Sequence, residues 1–309
     1  MKKIFIDGSA GTTGLRIAQR LASRKGIEII TLPDDARKDP KARKQAINQS
    51  DVTFLCLPDD GAREAVSFVE NPSTVIIDAS TTHRTEEGWT YGFPELSERI
   101  AQKLPTAKRI AVPGCHASGV IALVAPLIEK GILKKDVLLS VTSLTGYSGG
   151  GKKMIADYQS QDRSVLFDAP RQYALTQQHK HLKEIGFYTK LDNLPVFLPI
   201  VAPFYSGMEV TVPLFKQNLN QGYTKQDVIT ALRERYNSKI VYYDEQTEDG
   251  FISSAIVSGK DCMKISVFGN EDRILLCARY DNLGKGASGA AVECLNYVLG
   301  LAPETGLEL

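Results

Sequence analysis

The chain has 309 residues, of which 43% are hydrophobic and 24% charged, and its formal net charge is +1. That length suits two domains of ordinary size, and the near-neutral balance leaves no electrostatic footprint for nucleic acid or an anionic membrane surface. Five cysteines (Cys56, Cys115, Cys262, Cys277, Cys294) are scattered without C-x-x-C spacing, which excludes a disulfide framework and a structural zinc site and favours reduced thiols.

The opening "MKKIFIDGSAG" lacks the apolar run and small-residue cleavage site of a secretion signal. No apolar run approaches the roughly 20 residues of a membrane span, so a cytoplasmic protein without membrane partners is expected. The stretch "NLPVFLPIVAPFYSGMEVTVPL" is long and apolar, but its four prolines and internal acid disqualify it as a span.

Strand and helix signals alternate at first: "KIFIDG", "TGLRIAQRLASR", "IEIITLP", the charged "DDARKDPKARKQAINQS", "DVTFLCLP", "AREAVSFVE" and "TVIIDAS". Continuous apolar strands separated by helical patterns predict a parallel sheet covered on both faces. "KRIAVPG" continues that sheet and hands the chain to Cys115 at a strand's carboxyl end, where open α/β sheets place ligands. After "ASGVIALVAPLIEKG" the pattern becomes strand-rich: "DVLLSVTSLTGYSG", "KIVYYD", "CMKISVFGN" and "RILLCARYD". The predicted fold class is therefore α/β, with an N-terminal Rossmann-type doubly wound parallel sheet over residues 1–113. An α+β domain with a mostly antiparallel or mixed sheet follows over 114–285, and a C-terminal helix at about 286–309 completes the first domain.

Gly8, Gly11 and Gly14 lie between a strand and an amphipathic helix. Glycine permits the tight turn and close backbone approach to a pyrophosphate, the helix N-terminus favours the anion, and Thr12 and Thr13 add hydroxyl donors. This predicts dinucleotide binding. Where the second strand ends, Asp34 and Asp35 are followed by Arg37 and Lys38. An acid there holds a ribose 2′-hydroxyl and a base holds a 2′-phosphate; Arg37 and Lys38 favour NADP, against the plainer reading of a solvated charge run.

Cys115, in "VPGCHASGV", stands at the start of the helical pattern "CHASGVIALVAPLIEKG". Helix N-termini present unpaired N–H groups that stabilise a thiolate and an oxyanion, yet local sequence alone leaves nucleophile and packed thiol equally open. Of the four histidines, His116 adjoins the cysteine, but adjacent side chains usually point apart, which makes it the weaker base. His83 follows a strand. His179 and His181 form an i, i+2 pair that would face differently in a helix, so at most one is expected to aim at the thiol. With no Cys or carboxylate partner nearby they make no metal site.

Seven segments in order, "GSAGTTG", "LCLPDD", "DASTTHRT", "YGFPEL", "VPGCHASG", "TGYSGGGK" and "DNLGKGASGAA", resemble the shorter form of the N-acetyl-gamma-glutamyl-phosphate reductase family of arginine biosynthesis, relatives of the aspartate-semialdehyde dehydrogenases. The resemblance runs nearly from end to end and implies NADPH-dependent reduction of an acyl phosphate to an aldehyde with release of phosphate, through a thioester on Cys115. It implies a histidine acid/base from the H-x-H segment, with His179 favoured over His181 and Tyr173 as a possible helper. It further implies that Arg84, with Ser80, contacts the leaving phosphate, that Ser148, Gly149 and Gly150 line the pocket, and that Asn282 and the turn at Gly286 to Gly289 approach the cofactor. One departure is "H-K-H" where the longer form carries "H-R-H", so Lys180 receives no bidentate role. The expected partner is a small acyl phosphate, in a homodimer or homotetramer. Two rivals stay open: a sister reductase acting on aspartyl or aminoadipyl phosphate, and a non-catalytic dinucleotide-binding protein. A Cys-His hydrolase is disfavoured, because it would leave the glycine turn without a task.

Overall fold

The computed structural model describes residues 1–309 and divides into two compact units, Met1–Pro113 with Ala287–Leu307, and Gly114–Gly286 with Glu308–Leu309.

The first unit runs β1 (Lys2–Asp7), α1 (Thr12–Ala22), β2 (Ile27–Ile30), α2 (Pro40–Gln49), β3 (Val52–Leu55), α3 (Asp59–Ser67), β4 (Val75–Asp78), β5 (Thr90–Tyr91), α4 (Glu98–Lys103) and β6 (Arg109–Ala111). Its six strands are all parallel in the order β2-β1-β3-β4-β6-β5. β3 and β4 are buried along their whole length, which is why they read as continuous apolar runs. Ile4, Ile6, Phe54 and Ile77 pack on one face with Ile17 and Leu21 of α1 and with Ala291 and Leu295 of the C-terminal helix. Phe5, Leu55 and Ile76 pack on the other with Ala46 and Ile47 of α2 and Ala62 and Ala65 of α3. Helices on both faces make the sheet doubly wound, and the chain order reverses between β1 and β3, the place where such sheets bind ligands.

The second unit comprises α5 (Cys115–Glu129), β7 (Ser140–Gly146), α6 (Gly151–Gln159), β8 (Arg171–Gln172), α7 (His181–Thr189), β9 (Val196–Ala202), β10 (Met208–Phe215), α8 (Lys225–Arg235), β11 (Val241–Tyr243), β12 (Met263–Gly269) and β13 (Arg273–Tyr280). The chain then returns to the first unit as α9 (Gly289–Val298). The seven-stranded sheet has the order β11-β12-β13-β10-β7-β9-β8. It is mixed: β11 with β12 and β7 with β9 are parallel, the other pairs antiparallel. α5 is buried from His116 to Ile128, and it lies close on the sheet because residue 119 is glycine; a Cβ there would sit 2.7 Å from the Val210 side chain of β10. Of the four prolines of the long apolar stretch, Pro195 precedes β9, Pro199 and Pro213 lie within β9 and β10, and Pro203 lies between them; no helix is long and apolar enough to cross a membrane.

Candidate active site

In the first unit the glycine turn joins β1 to α1. Gly8 has φ +88°, a left-handed conformation that side chains resist, and a Cβ there would collide with the Cys56 carbonyl; a Cβ on Gly14 would collide with the Gly8 carbonyl. Gly11 caps α1 without any side-chain hydrogen bond to the first-turn amides. Beside them Thr12 Oγ1 is buried and has no hydrogen-bond partner. Open amides and an orphaned hydroxyl at a helix N-terminus fit the phosphates of a dinucleotide.

Asp7, closing β1, is bonded by the Arg43 guanidinium at 3.0 Å, and Arg43 also pairs with Glu64. Burial raises the Asp7 pKa, and Arg43 opposes that. Arg37 and Lys38 stand in the turn before α2. Arg37 is paired at 2.6 Å with Asp34, which is 87% exposed, a contact soft enough for an incoming phosphate to replace.

The segment after β4 is a hydrogen-bonded network that engages both Ser80 and Arg84. Ser80 donates its hydroxyl to Asp78 at 2.7 Å, and His83 Nδ1 reaches the same carboxylate at 2.6 Å while its ring stacks on Trp89 at 4.0 Å. Arg84 is buried and gives Nε to the Val112 carbonyl (2.9 Å) and Nη2 to that of Ala79 (3.2 Å). These donors tie strand ends together. The local signal was available: an Asp two residues before a Ser makes an Asx-type turn.

In the second unit Cys115 is the first residue of α5 and is half-buried. Four contacts fix its place. Gly114 donates its N–H to Glu184 at 2.9 Å; Tyr280 donates its hydroxyl to the Cys115 carbonyl at 2.5 Å and accepts the Gly119 N–H at 3.1 Å. A Cβ on Gly286 would lie 3.1 Å from that of Cys115, so the glycine allows the chain to pass directly over the thiol. Cys262, Cys277 and Cys294 are buried, and burial pushes the Cys277 thiol up to about 11.

Around this point the structure gathers Tyr173, His116, His179, His181 and Phe197. The His179 and His181 ring centroids are 4.7 Å apart, and each lies 5.6 Å from that of His116. The expected divergence of the H-x-H pair is therefore corrected: α7 begins only at His181, and His179 lies in the turn before it. His181 is buried and His179 half-buried. The His181 main-chain N–H donates to His179 Nδ1 at 3.2 Å, which leaves the ring proton of neutral His179 on Nε2. Burial, then the charge of Lys180, lowers the His179 pKa. His116 is 3% exposed and bonded at both nitrogens, to Ser143 and to Tyr173, so it is no free base. Burial, and then the charge of Cys115, raise the Tyr173 pKa and keep the phenol protonated.

Ser148 and Asn282, expected at substrate and cofactor, are hydrogen-bonded to each other. Asn282 Nδ2 donates to Ser148 Oγ at 2.9 Å and its Oδ1 accepts the Gly207 N–H at 3.0 Å. Both side chains are fully buried, so they staple the "GYSGGG" loop while Gly149 and Gly150 stay exposed.

Two family models match the chain: "Semialdehyde dehydrogenase, NAD binding domain" over residues 3–103, and "Semialdehyde dehydrogenase, dimerisation domain" over 115–282. The fold is that of aspartate semialdehyde dehydrogenase II from Vibrio cholerae, solved with ASA (TM-score 0.72, 14% identity, 97% of this chain and 98% of that one). It is likewise that of aspartate semialdehyde dehydrogenase from Candida albicans, solved with NADP (TM-score 0.70, 16% identity, 97% and 98%). The protein is an oxidoreductase of the semialdehyde dehydrogenase class. Within that class, N-acetyl-gamma-glutamyl-phosphate reductase from Mesorhizobium japonicum is 43% identical over 307 residues, 97% of this chain and 99% of that protein. The chain belongs to the N-acetyl-gamma-glutamyl-phosphate reductase family.

Proposed function

We propose that the protein reduces N-acetyl-L-glutamyl 5-phosphate to N-acetyl-L-glutamate 5-semialdehyde and phosphate in arginine biosynthesis, with NADPH as reductant and Cys115 as nucleophile. The observation that carries this reading is the setting of Cys115, a half-buried thiol at the first position of α5 beside Tyr173, whose phenol stays protonated. A half-buried thiol at a helix N-terminus with neutral donors around it suits attack on an acyl group.

Cys115 Sγ attacks the acyl carbon, the carbonyl oxygen becomes negative, and phosphate leaves with the thiol's proton, so that a thioester remains. His179, with its ring proton on Nε2, donates to the negative oxygen; its lowered pKa keeps it a neutral donor at neutral pH. The chemistry a nicotinamide dinucleotide would supply when bound is a hydride for reduction of the thioester; Cys115 would then depart as thiolate and regain a proton. Gly8, Gly11, Thr12, Thr13 and Gly14 would hold the pyrophosphate, and Arg37 and Lys38 the 2′-phosphate of NADP. The NADP in the Candida albicans enzyme accords with that choice. An apolar strip on the second sheet supports self-association: exposed Pro213 and Leu275 are cross-strand partners and exposed Phe215 lies two residues along. A homodimer or homotetramer buries it.

The test is the reverse assay. N-acetylglutamate semialdehyde and phosphate should reduce NADP, more slowly NAD, and not at all when phosphate is omitted. Cys115→Ser should abolish the reaction and leave NADP binding intact; a Cys115→Ser enzyme of wild-type rate refutes the proposal. Aspartate semialdehyde should be the poorer substrate.

A further inference from the structure

The reaction does not yet account for a chain of three buried or half-buried polar groups that ends beside Cys115. Ser143 Oγ lies 2.6 Å from His116 Nδ1, and His116 Nε2 lies 2.7 Å from the Tyr173 hydroxyl. Each contact is short enough for a good hydrogen bond, and each can run in either direction.

Burial decides the direction. Ser143 is 0% exposed in the middle of β7, and its hydroxyl has one partner, His116. Were His116 to donate from Nδ1, the serine proton would be left in an apolar interior with no acceptor, which forfeits its solvation without return. The serine proton must therefore go to Nδ1. A neutral imidazole then carries its proton on Nε2, from which it donates to the Tyr173 oxygen. His116 is neutral because it is fully buried among Phe197, Tyr173, His179 and His181, with no carboxylate bonded to it. The Tyr173 oxygen, already accepting, turns its own O–H away from His116. Tyr173 is half-buried, so that proton faces the open side of the cluster.

We infer that Ser143 and His116 are positioning residues that fix the polarity of this chain, so that Tyr173 offers its hydroxyl proton to the oxygen that becomes negative during the reaction at Cys115. His116 thus acts through Tyr173 and not on the thiol, and Tyr173 supplies a hydrogen bond alongside that of His179. Reversing the chain would turn the Tyr173 proton inward and present a lone pair, which repels an oxyanion. The inference rests on the proposed thioester chemistry for its function, while the direction of the chain stands on geometry alone.

Two measurements test it separately. In the full-length protein with 15N-labelled histidine, the His116 imidazole, assigned by its loss in His116→Gln, should show a protonated Nε2 and a bare Nδ1 from about pH 6 to about 8.5. A proton on Nδ1, or an imidazolium in that range, overturns the inference. In the reverse assay Tyr173→Phe should lower kcat about 100-fold, as expected for loss of one oxyanion donor. Ser143→Ala should lower it about 10-fold with KM little changed, and Ser143→Thr, which keeps the hydroxyl, should restore most of it. Ser143→Ala should cost nothing further in the Tyr173→Phe background. Full activity in Ser143→Ala, or an equal loss in both backgrounds, overturns it. If the wild-type protein reduces no acyl phosphate, the functional proposal falls, and the imidazole spectrum still decides the polarity of the chain.

Discussion

Replacing His116 by glutamine should flatten the acid limb of the protein's stability profile. In the fold the ring is neutral and its pKa, ordinarily 6.5, is pushed down to about 3, first by burial and then by His179. In the unfolded chain the same ring titrates near its ordinary value, so below that pH the unfolded state binds a proton that the folded state refuses. Stability is therefore complete above pH 6.5 and is lost as pH falls toward 3. Each pH unit in that window is worth about 1.4 kcal/mol, so lowering the pH from 6.5 to about 4.5 should remove about 3 kcal/mol through this residue alone. Glutamine does not titrate. Urea denaturation followed by circular dichroism, at about pH 7.5 and about pH 4.5, should show the wild-type protein losing about 3 kcal/mol more than His116→Gln between the two conditions. The neutral-pH cost of the substitution cancels in that difference. Parallel losses would show that His116 is protonated in the fold, or is not enclosed as the structure has it, and would refute the reasoning.

Gly286→Ala places a methyl group 3.1 Å from the Cys115 Cβ; alkylation of Cys115 by iodoacetamide should slow and kcat should fall about 10-fold, whereas wild-type alkylation would mean that the two segments are not in contact. Gly14→Ala drives a Cβ into the Gly8 carbonyl, and NADP binding measured by calorimetry should weaken more than about 10-fold while Cys115 alkylation is unchanged. Arg37→Ser with Lys38→Ser should raise KM for NADPH about 10-fold and leave KM for NADH unaltered; an equal change for both cofactors removes these residues from the 2′-phosphate. Glu184→Ala takes away the acceptor of the Gly114 N–H, and stability in urea should fall by about 1–3 kcal/mol, with Glu184→Gln intermediate.

What the sequence disclosed follows the range over which each feature is determined. The glycine turn was legible because its requirements are local: Gly8 needs a left-handed φ, and Gly14 lies against Gly8 only six residues earlier. The strands of the first unit were legible because burial on both faces writes itself as uninterrupted apolar residues, as in β3 and β4. The start of α5 at Cys115 was legible from the small residues preceding a long apolar run. Side-chain partners were not, because they are chosen by tertiary packing. Arg84 was assigned to the phosphate by the family resemblance, and nothing in its local sequence showed that it also donates to the carbonyls of Ala79 and Val112. Asn282 and Ser148, 134 positions apart, gave no sign of being partners. The His179–His181 pair was misjudged by one helical register, because the helix starts two residues later than a continuous periodicity assumes.

The same distinction explains why His116 was undervalued. Adjacency to Cys115 argued only that its ring points elsewhere, and it does: α5 turns it inward to Ser143, 27 positions on, and to Tyr173, 57 positions on. A histidine next to a cysteine invites a reading as its base, yet this fully buried ring could take up a proton on Nδ1 only by reversing the serine bond and leaving the Ser143 proton without an acceptor. Its usefulness comes from that refusal. In the proposed reaction, by staying neutral it would transmit the direction of the serine hydroxyl to the tyrosine without competing for the thiol's proton, and it would leave proton donation to Tyr173 and to His179, which is only half-buried. The proposed division follows exposure rather than proximity: the enclosed imidazole would orient, and the accessible one would react.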